Sequence, residues 1–209
     1  MKDRQLAIVT VRHSLTAHNT AGYITGRLDV PLSAQGREAA RHYVRATGLL
    51  SADIVLSSPA RRTMETALLL TGLTEEDIVC DVRCHERHYG ALQGLSRMEV
   101  AACDGQITYL EAGGVRHSVN PPGGETLAEL RARAQAFLSA VQALPARSVL
   151  VTSHGTFLQQ LHGLLLGHSL HATLSRHVRS LQTDEFTLGT DGPPLHRTLH
   201  PGLAAGPLW

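Results

Sequence analysis

Near its N-terminal end the chain has an uncharged and mostly apolar run, Leu6 to Val11, which ends at the adjacent cation and imidazole of Arg12 and His13. A run without polar alternation indicates a strand that is buried on both faces, because only a sheet covered on each side accepts apolar side chains in both directions. Reactive groups just after such a strand lie where α/β sheets bind ligands. Arg12 and His13 are therefore candidate functional residues.

A similar pattern recurs in the C-terminal half. Ser148 to Thr152 is a second apolar strand, the triplet Ser153-His154-Gly155 follows it, and an apolar helix is predicted from Thr156 to Leu166. Strands that alternate with helices favour a largely parallel sheet, whose connections bring the carboxyl ends of the strands to one edge. We therefore predict an α/β fold, a three-layer sandwich with a mainly parallel central sheet flanked by helices, in which His13 and His154 face each other.

Caps and periodicity predict the other elements. Ser33 is expected to cap a helix that continues to about Leu50, and the clearest helix covers Leu127 to Val141, where apolar residues repeat at helical spacing. A short helix is predicted from Ser96 to Cys103, whereas residues 104–124 are rich in glycine and proline and are predicted to be irregular. The remaining strands are predicted over Ile54–Leu56 and Ile78–Val82, with an edge strand over Asp184–Leu188.

A further helix is predicted to start at Ser58 and Pro59, with Ser58 as the N-cap and Pro59 at the first helical position. Arg61 and Arg62 then lie in the first turn, where unpaired backbone N–H groups and the helix dipole favour an anion. A guanidinium group adds directed donors to such a site. The alternative is that both arginines are solvated surface residues.

The segment HERHYGALQG, residues 85–94, fits no regular period and is rich in ionisable groups. Such a segment is typical of a functional loop. Its ionisable residues include Glu86, whose carboxyl group is of a kind that can donate and accept a proton. The alternative is that Glu86 only forms an ion pair with Arg83 or Arg87.

Composition limits the classes of function. The 209 residues suit a single domain, 1–209, and 19 Lys+Arg against 18 Asp+Glu leave no general basic field for a nucleic acid or an anionic membrane. Neither a signal peptide nor a spanning helix is visible, so we expect a cytoplasmic protein.

The three cysteines suit reduced thiols. A metal site at His162, His168, His171 and His177 is disfavoured because no carboxylate spacing accompanies them, and scattered surface histidines are the simpler interpretation.

Five motifs in order resemble the histidine phosphatase superfamily, whose members include cofactor-dependent phosphoglycerate mutases, sugar-bisphosphate phosphatases, α-ribazole phosphatases and broad-specificity acid phosphatases. The resemblance extends from about Leu6 to Leu166. The matching residues are, in chain order, Arg12, His13, Thr16 and Asn19; Gly26, Asp29, Pro31, Leu32, Ser33 and Gly36; Ser58, Arg62, Thr66 and Ala67; Glu86; and Ser153-His154-Gly155.

The resemblance implies a phosphoglycerate mutase-like fold and a catalytic set of Arg12, His13, Arg62, Glu86 and His154, with Arg62 rather than Arg61 on the phosphate. It implies neither a metal nor a cofactor. The further substrate-binding residues that it implies are Asn19, Thr25, Gly26, Tyr89, Arg97 and Gly155.

Some residues depart from the family pattern or point to different branches of it. Ser14 and Leu15 stand where the family usually has Gly and Glu, which bears on substrate preference more than on chemistry. The loop with Glu86, Arg87 and Tyr89 is similar to that of the mutases. Arg97 also falls at a mutase substrate position, and Arg116-His117 lies near the mutases' paired arginines. The segment 121–127, PPGGETL, resembles the phosphatase branch instead.

The chemistry of phosphoryl transfer agrees with this set of residues. Charge in the transition state spreads over the equatorial oxygens, which fixed donors can stabilise, and a neutral imidazole can attack phosphorus to give a phosphohistidine. We predict a metal-independent phosphomonoester hydrolase that acts on a small phosphorylated metabolite through His13. The alternatives are a phosphoglycerate mutase and a phosphate-ester binding or regulatory module without turnover. The oligomeric state is left open, with a homodimer as one option.

Overall fold

The computed structural model of the chain describes residues 5–102, 105, 107–189 and 192–203, and for Arg97 it describes the backbone alone. Strands form a six-stranded sheet and a separate two-stranded hairpin. In chain order the strands are β1 Leu6–Arg12, β2 Ile54–Ser57, β3 Ile78–Cys80, β4 Tyr109–Ala112, β5 Val115–Ser118, β6 Ser148–Ser153, β7 Gln182–Leu188 and β8 Leu195–Pro201.

The strand order in the large sheet is β3-β2-β6-β1-β7-β8, and β4 pairs with β5 in the hairpin. Strands β1, β2, β3 and β6 pair in parallel, whereas β7 is antiparallel to both of its neighbours. The α-helices are α1 Ala17–Ala21, α2 Ala34–Thr47, α3 Arg61–Thr71, α4 Arg97–Ala102, α5 Leu127–Ala143, α6 Gly155–Leu165 and α7 Leu170–Leu174.

Helices cover both faces of the sheet, which explains why β1 is apolar in both directions. Leu6 and Ile8 pack in one core with Phe137 of α5 and Phe157 of α6. Val11 packs in a second core with residues of α2 and α3, such as Ala40, Tyr43, Ala67 and Leu70. The predicted three-layer α/β sandwich with a mainly parallel sheet is therefore confirmed.

Several predicted boundaries need correction. Helix α3 begins at Arg61 with Ala60 as its N-cap, so Ser58 is not the cap and Pro59 precedes the helix. The third strand ends at Cys80 rather than Val82. The short predicted helix begins at Arg97, one residue after Ser96, and its predicted end at Cys103 lies outside the described residues.

Residues 104–124 are not wholly irregular, because β4 and β5 form a hairpin in which Ala112 pairs with Val115. The two turn residues, Gly113 and Gly114, both have positive φ, at 60° and 74°. Glycine adopts this conformation without strain, and two such residues form the tight turn that joins antiparallel strands. Where the chain is described, no helix is long and apolar enough to cross a membrane.

Candidate active site

The two predicted histidines meet at the carboxyl edge of the sheet. Strands β1 and β6 are parallel neighbours with Arg12 opposite Ser153, so His13 and His154 leave the sheet side by side. The backbone N–H of His13 donates to the carbonyl oxygen of Ser153 at 2.9 Å. The two imidazole ring centroids are 5.3 Å apart, with the rings inclined at 67°. The predicted juxtaposition is therefore present.

The His13 imidazole is neutral and oriented by the backbone. Its Nδ1 lies 2.6 Å from the carbonyl oxygen of Ser14, and because a carbonyl only accepts, Nδ1 bears the hydrogen. Burial lowers the pKa of His13 well below its ordinary value, and the positive charges of Arg62 and Arg12 lower it further. The Nε2 atom therefore retains its lone pair.

Two guanidinium groups share a cleft of about 290 Å³ with His13. Arg12 donates through Nη1 to the carbonyl oxygen of Val178 at 2.6 Å. Arg62 donates through Nη2 to Gly26 and through Nη1 to Leu28, each at 2.8 Å. The Nε atoms of both arginines are buried and have no hydrogen-bond partner among the described residues. Unpartnered donors of this kind suit the oxygens of a bound anion.

The start of α3 selects between the two adjacent arginines. Arg62 is buried and lines the cleft, whereas Arg61 is exposed. The Asp29 carboxylate accepts the Arg61 backbone N–H at 2.8 Å and so caps α3 from a separate loop. The Ser58 hydroxyl, predicted as that cap, instead bonds to Nε2 of His154 at 2.8 Å.

His154 lies behind His13 rather than on the wall of the cleft. It is fully buried, and its Nδ1 atom has no partner within the described structure. Burial lowers the pKa of His154 well below its ordinary value, with further contributions from Arg62 and His13. The ring of His85 stacks on it at 5.5 Å. Its predicted contact with phosphate stays a prediction.

The Glu86 carboxylate lies at the N-terminus of α6 and lines the cleft. It accepts backbone N–H groups from Thr156 at 3.2 Å, Phe157 at 3.1 Å and Arg87 at 2.8 Å. These three hydrogen bonds hold the carboxylate at the start of α6. The guanidinium groups named as alternative partners bond elsewhere, Arg83 with Asp81 and Arg87 with the carbonyl oxygens of Ser118, Val119 and Glu125.

Three of the predicted substrate-binding side chains line the same cleft. The Oγ1 atom of Thr25 is buried and unpartnered, and the Tyr89 hydroxyl bonds to Oγ1 of Thr156 at 2.8 Å. Asn19 uses its Oδ1 atom in the capping box of α1, so only its amide nitrogen is available to a ligand. The side chain of Arg97 lies outside the described part of the chain, and its contact with substrate stays a prediction.

The two predicted glycines allow close approach of backbone segments. Gly26 has φ +50°, and a Cβ there would overlap the Gln93 side chain. A Cβ at Gly155 would lie 3.1 Å from Cζ of Arg12. Gly155 therefore lets the N-terminus of α6 reach the guanidinium group, which concentrates positive potential at the cleft.

The two departures from the family pattern have different consequences. Ser14 is fully buried, and its hydroxyl donates to the carbonyl oxygen of Gly36 at 2.7 Å, so the side chain points away from the cleft. Leu15 does line the cleft and makes part of its wall apolar. Leu15 is therefore the departure that bears on substrate preference.

Sequence reasoning missed the segment 177–180, which also lines the cleft and includes the carbonyl that binds Arg12. His177 is an ionisable residue of this segment, but it belongs to a histidine-rich stretch that the sequence analysis interprets as surface. The interpretation of that stretch as surface is wrong for His162, which is buried and bonds to Thr10 Oγ1 at 2.8 Å. The described residues contain no group of three or more His, Cys, Asp or Glu side chains arranged to hold a metal ion.

Together the fold and the site define an α/β protein in which a histidine and two buried arginines share one cleft at the carboxyl edge of the sheet. The family model for the histidine phosphatase superfamily (branch 1) matches residues 8–199. The chain belongs to that superfamily.

Its relatives include both mutases and phosphatases. A 2,3-bisphosphoglycerate-dependent phosphoglycerate mutase of Rhizobium etli is 33% identical over 165 residues, which cover 74% of this chain and 77% of the relative. An acid phosphatase of Mycobacterium tuberculosis is 33% identical over 157 residues, covering 74% and 72%. Identity at this level shows the family and leaves the branch open.

Solved structures share the fold. The α-ribazole phosphatase of Shigella flexneri superposes with a TM-score of 0.76 at 20% identity, covering 97% of this chain and 100% of that chain. A mycobacterial glucosyl-3-phosphoglycerate phosphatase gives a TM-score of 0.70 at 24% identity, covering 95% and 98%. At such identities the likeness concerns architecture alone.

Proposed function

We propose that the chain is a metal-independent phosphomonoester hydrolase that acts on small phosphorylated metabolites through a phosphohistidine on His13. The observation that carries the proposal is the state of the His13 imidazole. Its Nδ1–H donates to the Ser14 carbonyl, and its Nε2 lone pair remains for attack beside two guanidinium groups. A neutral nucleophile next to fixed cations is what attack on a phosphate ester requires.

In the first step, Nε2 of His13 attacks phosphorus while the bond from phosphorus to the ester oxygen breaks. Arg12 and Arg62 stabilise the equatorial oxygens through their guanidinium groups, which line the cleft. The departing alkoxide takes a proton from the Glu86 carboxyl group. A substrate that binds as its monoanion supplies that proton, since the second pKa of a phosphate ester is about 6.

In the second step, water attacks the phosphorylated Nε2 and the bond between nitrogen and phosphorus breaks. The Glu86 carboxylate accepts a proton from the water, and Nε2 takes back the electron pair of the broken bond. That proton then leaves Glu86 with the inorganic phosphate, which carries the oxygen of the water. The three backbone N–H groups that bond to Glu86 fix the position of this carboxylate in both steps.

Trapping the covalent intermediate tests the proposal. Rapid acid-free quenching during turnover should leave one phosphate on His13 that is labile to acid and stable to base. His13→Ala should lose this label and all turnover while keeping its fold, because the residue lies beyond the end of β1 rather than in a core. Steady turnover by His13→Ala would overturn the nucleophile assignment, and binding without any label would favour a regulatory module.

A phosphoglycerate mutase is the second candidate, which the identity to mutase relatives favours. Three contacts argue against it. Arg87, which matches the mutase loop and lines the cleft, is 1% exposed and donates through Nε, Nη1 and Nη2 to backbone carbonyl oxygens, which favours a structural role for its guanidinium group over a substrate contact. We expect 3-phosphoglycerate to release inorganic phosphate, whereas rapid isomerisation that depends on a bisphosphoglycerate primer would select the mutase.

A further inference from the structure

The loop that carries Glu86 is held by a guanidinium group on another element. Arg133 of α5 donates through Nη1 to the carbonyl oxygens of Arg83 and His85, each at 2.7 Å, and through Nη2 to that of Glu86 at 3.3 Å. A single side chain thus binds three carbonyls of residues 83–86. None of these contacts involves the cleft wall formed by Arg12, His13 and Arg62.

Glu125 in turn fixes the Arg133 guanidinium. Nε and Nη2 of Arg133 contact Oε1 and Oε2 of Glu125 at 2.7 Å each, a bidentate ion pair. The two side chains are 16% and 12% exposed. Burial acts to raise the pKa of Glu125, but the hydrogen bonds and charge of Arg133 outweigh it and hold the pKa below its usual value. The pair is therefore charged and desolvated, which makes its geometry rigid.

The same carboxylate binds the other end of the loop. Oε2 of Glu125 accepts the backbone N–H of His88 at 3.3 Å and Nη2 of Arg27 at 3.5 Å. Arg27 also donates through Nε to the carbonyl oxygen of Glu86 at 3.0 Å. The backbone on both sides of Glu86 is thus tied to one ion pair.

We propose that Glu125 and Arg133 are positioning residues for Glu86, an inference that rests on the proposed hydrolase function. The Glu86 carboxylate is placed at the N-terminus of α6 by its backbone, and that backbone is fixed by the Glu125–Arg133 pair. Proton transfer requires the acid within hydrogen-bond reach of the leaving oxygen, and a displacement of about 1 Å can cost about 100-fold in rate. Loss of the pair should therefore impair proton transfer and leave phosphate binding intact.

A double-mutant cycle tests the proposal. Arg133→Gln should slow the burst of enzyme phosphorylation by an alkyl phosphate such as glycerol 3-phosphate about 10- to 100-fold. It should slow the burst with p-nitrophenyl phosphate much less, because nitrophenolate leaves without a proton. In a Glu86→Gln background, Arg133→Gln should cause no further loss, since there is no acid left to position. The Kd of inorganic phosphate should not change.

Arg131→Gln is the matched control. It lies on the same helix, and its guanidinium group donates to the carbonyl oxygen of His168 at 3.0 Å, far along the chain from the Glu86 loop. Arg131→Gln should slow the phosphorylation burst by the same factor with both esters, or should not slow it at all. If Arg133→Gln fails to fold, Glu125→Gln, which keeps the shape of the side chain but weakens the pair, gives the same comparison.

The outcomes separate the inference from the function on which it rests. Suppose that the unmodified protein shows a normal burst. If Arg133→Gln then slows the burst equally with both esters, or if its loss multiplies with that of Glu86→Gln, the inference alone is overturned. The pair would then support the fold rather than Glu86. A missing burst with every ester in the unmodified protein would overturn the proposed function and the inference together.

Discussion

At the scale of single residues, the site is built from groups kept in one protonation state by their surroundings. The imidazoles of His13 and His154 are buried next to guanidinium groups, and this environment opposes a positive charge on either ring. The guanidinium groups are themselves held by carbonyl oxygens of neighbouring loops. A phosphate group entering the cleft would meet oriented cations without any rearrangement, which is how electrostatic preorganisation lowers a barrier.

Arg62 and Arg61 provide a direct test because they are adjacent and differ in burial. Arg62→Gln should reduce kcat/KM by about 100- to 1,000-fold, the typical cost of losing one donor to the transition state. Arg61→Gln should change it by less than about threefold, because an exposed side chain contributes little. Steady-state kinetics on folded variants provide the measurement. Equal losses would show that the phosphate does not bind where we place it.

Glu86 can be tested through the leaving group. General-acid assistance is worth about 100- to 10,000-fold, but only when the leaving oxygen needs a proton in the transition state. Glu86→Gln should therefore slow the phosphorylation burst severely with a sugar or glycerol phosphate and mildly with p-nitrophenyl phosphate. Bursts are the suitable measurement, since the proposed dephosphorylation step also uses Glu86. An equal loss with both esters would assign Glu86 to positioning, with His88 next to examine as the acid.

At the scale of elements, the start of α3 shows how distant parts of the chain meet at the site. The loop before α2 supplies the Asp29 carboxylate to the backbone of α3, and carbonyls of the same loop bind Arg62. Helix α3 and the loop are thus joined twice, by the Asp29 carboxylate on the backbone of α3 and by the Arg62 guanidinium group on the backbone of the loop. A change at the cap should therefore also alter the position of Arg62 in the proposed phosphate site.

Asp29→Ala tests this connection. It should lower stability by ~1 kcal/mol, the usual cost of a lost cap, and should also weaken binding of inorganic phosphate because the Leu28 carbonyl is no longer fixed. Asp53→Ala is the control, since that carboxylate accepts backbone N–H groups of Arg147 and Ser148 at the opposite end of β6. It should leave phosphate binding unchanged. Identical binding losses in the two variants would indicate general destabilisation.

The same helix start shows what the sequence could and could not predict. Helical periodicity, the fold class and the meeting of His13 with His154 follow from local patterns and were predicted. The cap of α3 was not predicted. Ser58 bonds to His154, and the carboxylate that accepts the Arg61 backbone N–H belongs to Asp29, 32 positions earlier in the chain. A contact between distant residues leaves no periodic signal.

Three further features of the structure were not predicted from the sequence. Gly113 and Gly114 are a typical two-residue hairpin turn, yet the surrounding glycines and prolines favoured an irregular segment. The prediction of Asp184–Leu188 as the edge strand is wrong, because β7 lies between β1 and β8. Strand β8 was not predicted, since its seven residues at the sheet edge are largely exposed and show little apolar alternation. The lining of the cleft by residues 177–180 also required the fold, since these side chains lie on a connection without a motif.

At the scale of the whole molecule, buried histidines couple stability to pH. Burial lowers the pKa of His85 to about 4 and that of His162 to about 4, and His13 and His154 shift in the same direction. The unfolded chain takes up these protons near an ordinary pKa of about 6.5. Between about pH 6.5 and 4 the unfolded state therefore binds more protons, and stability is lost as the pH falls.

We expect the Tm to be level above about pH 7 and to fall progressively from pH 6.5 towards pH 4.5. His85→Asn should reduce the slope of this fall, because one partly buried imidazole with a lowered pKa is removed and Asn can still accept the Glu86 N–H that His85 binds. Thermal melts followed by circular dichroism at constant ionic strength give the measurement. A Tm independent of pH over this range would contradict the assignment of neutral buried rings.

The hydrogen bond between His13 and the Ser14 carbonyl also determines the regiochemistry of the proposed intermediate. Nδ1 bears a hydrogen and lies 2.6 Å from the Ser14 carbonyl oxygen, so the available nucleophilic atom is Nε2, the tele nitrogen. The pros isomer, which carries phosphate on Nδ1, has no route to form. The two isomers differ in phosphorus chemical shift and in reactivity towards isomer-selective antibodies. A trapped protein should therefore contain the tele isomer alone, and the Nδ1–H bond should persist unchanged through both halves of the catalytic cycle.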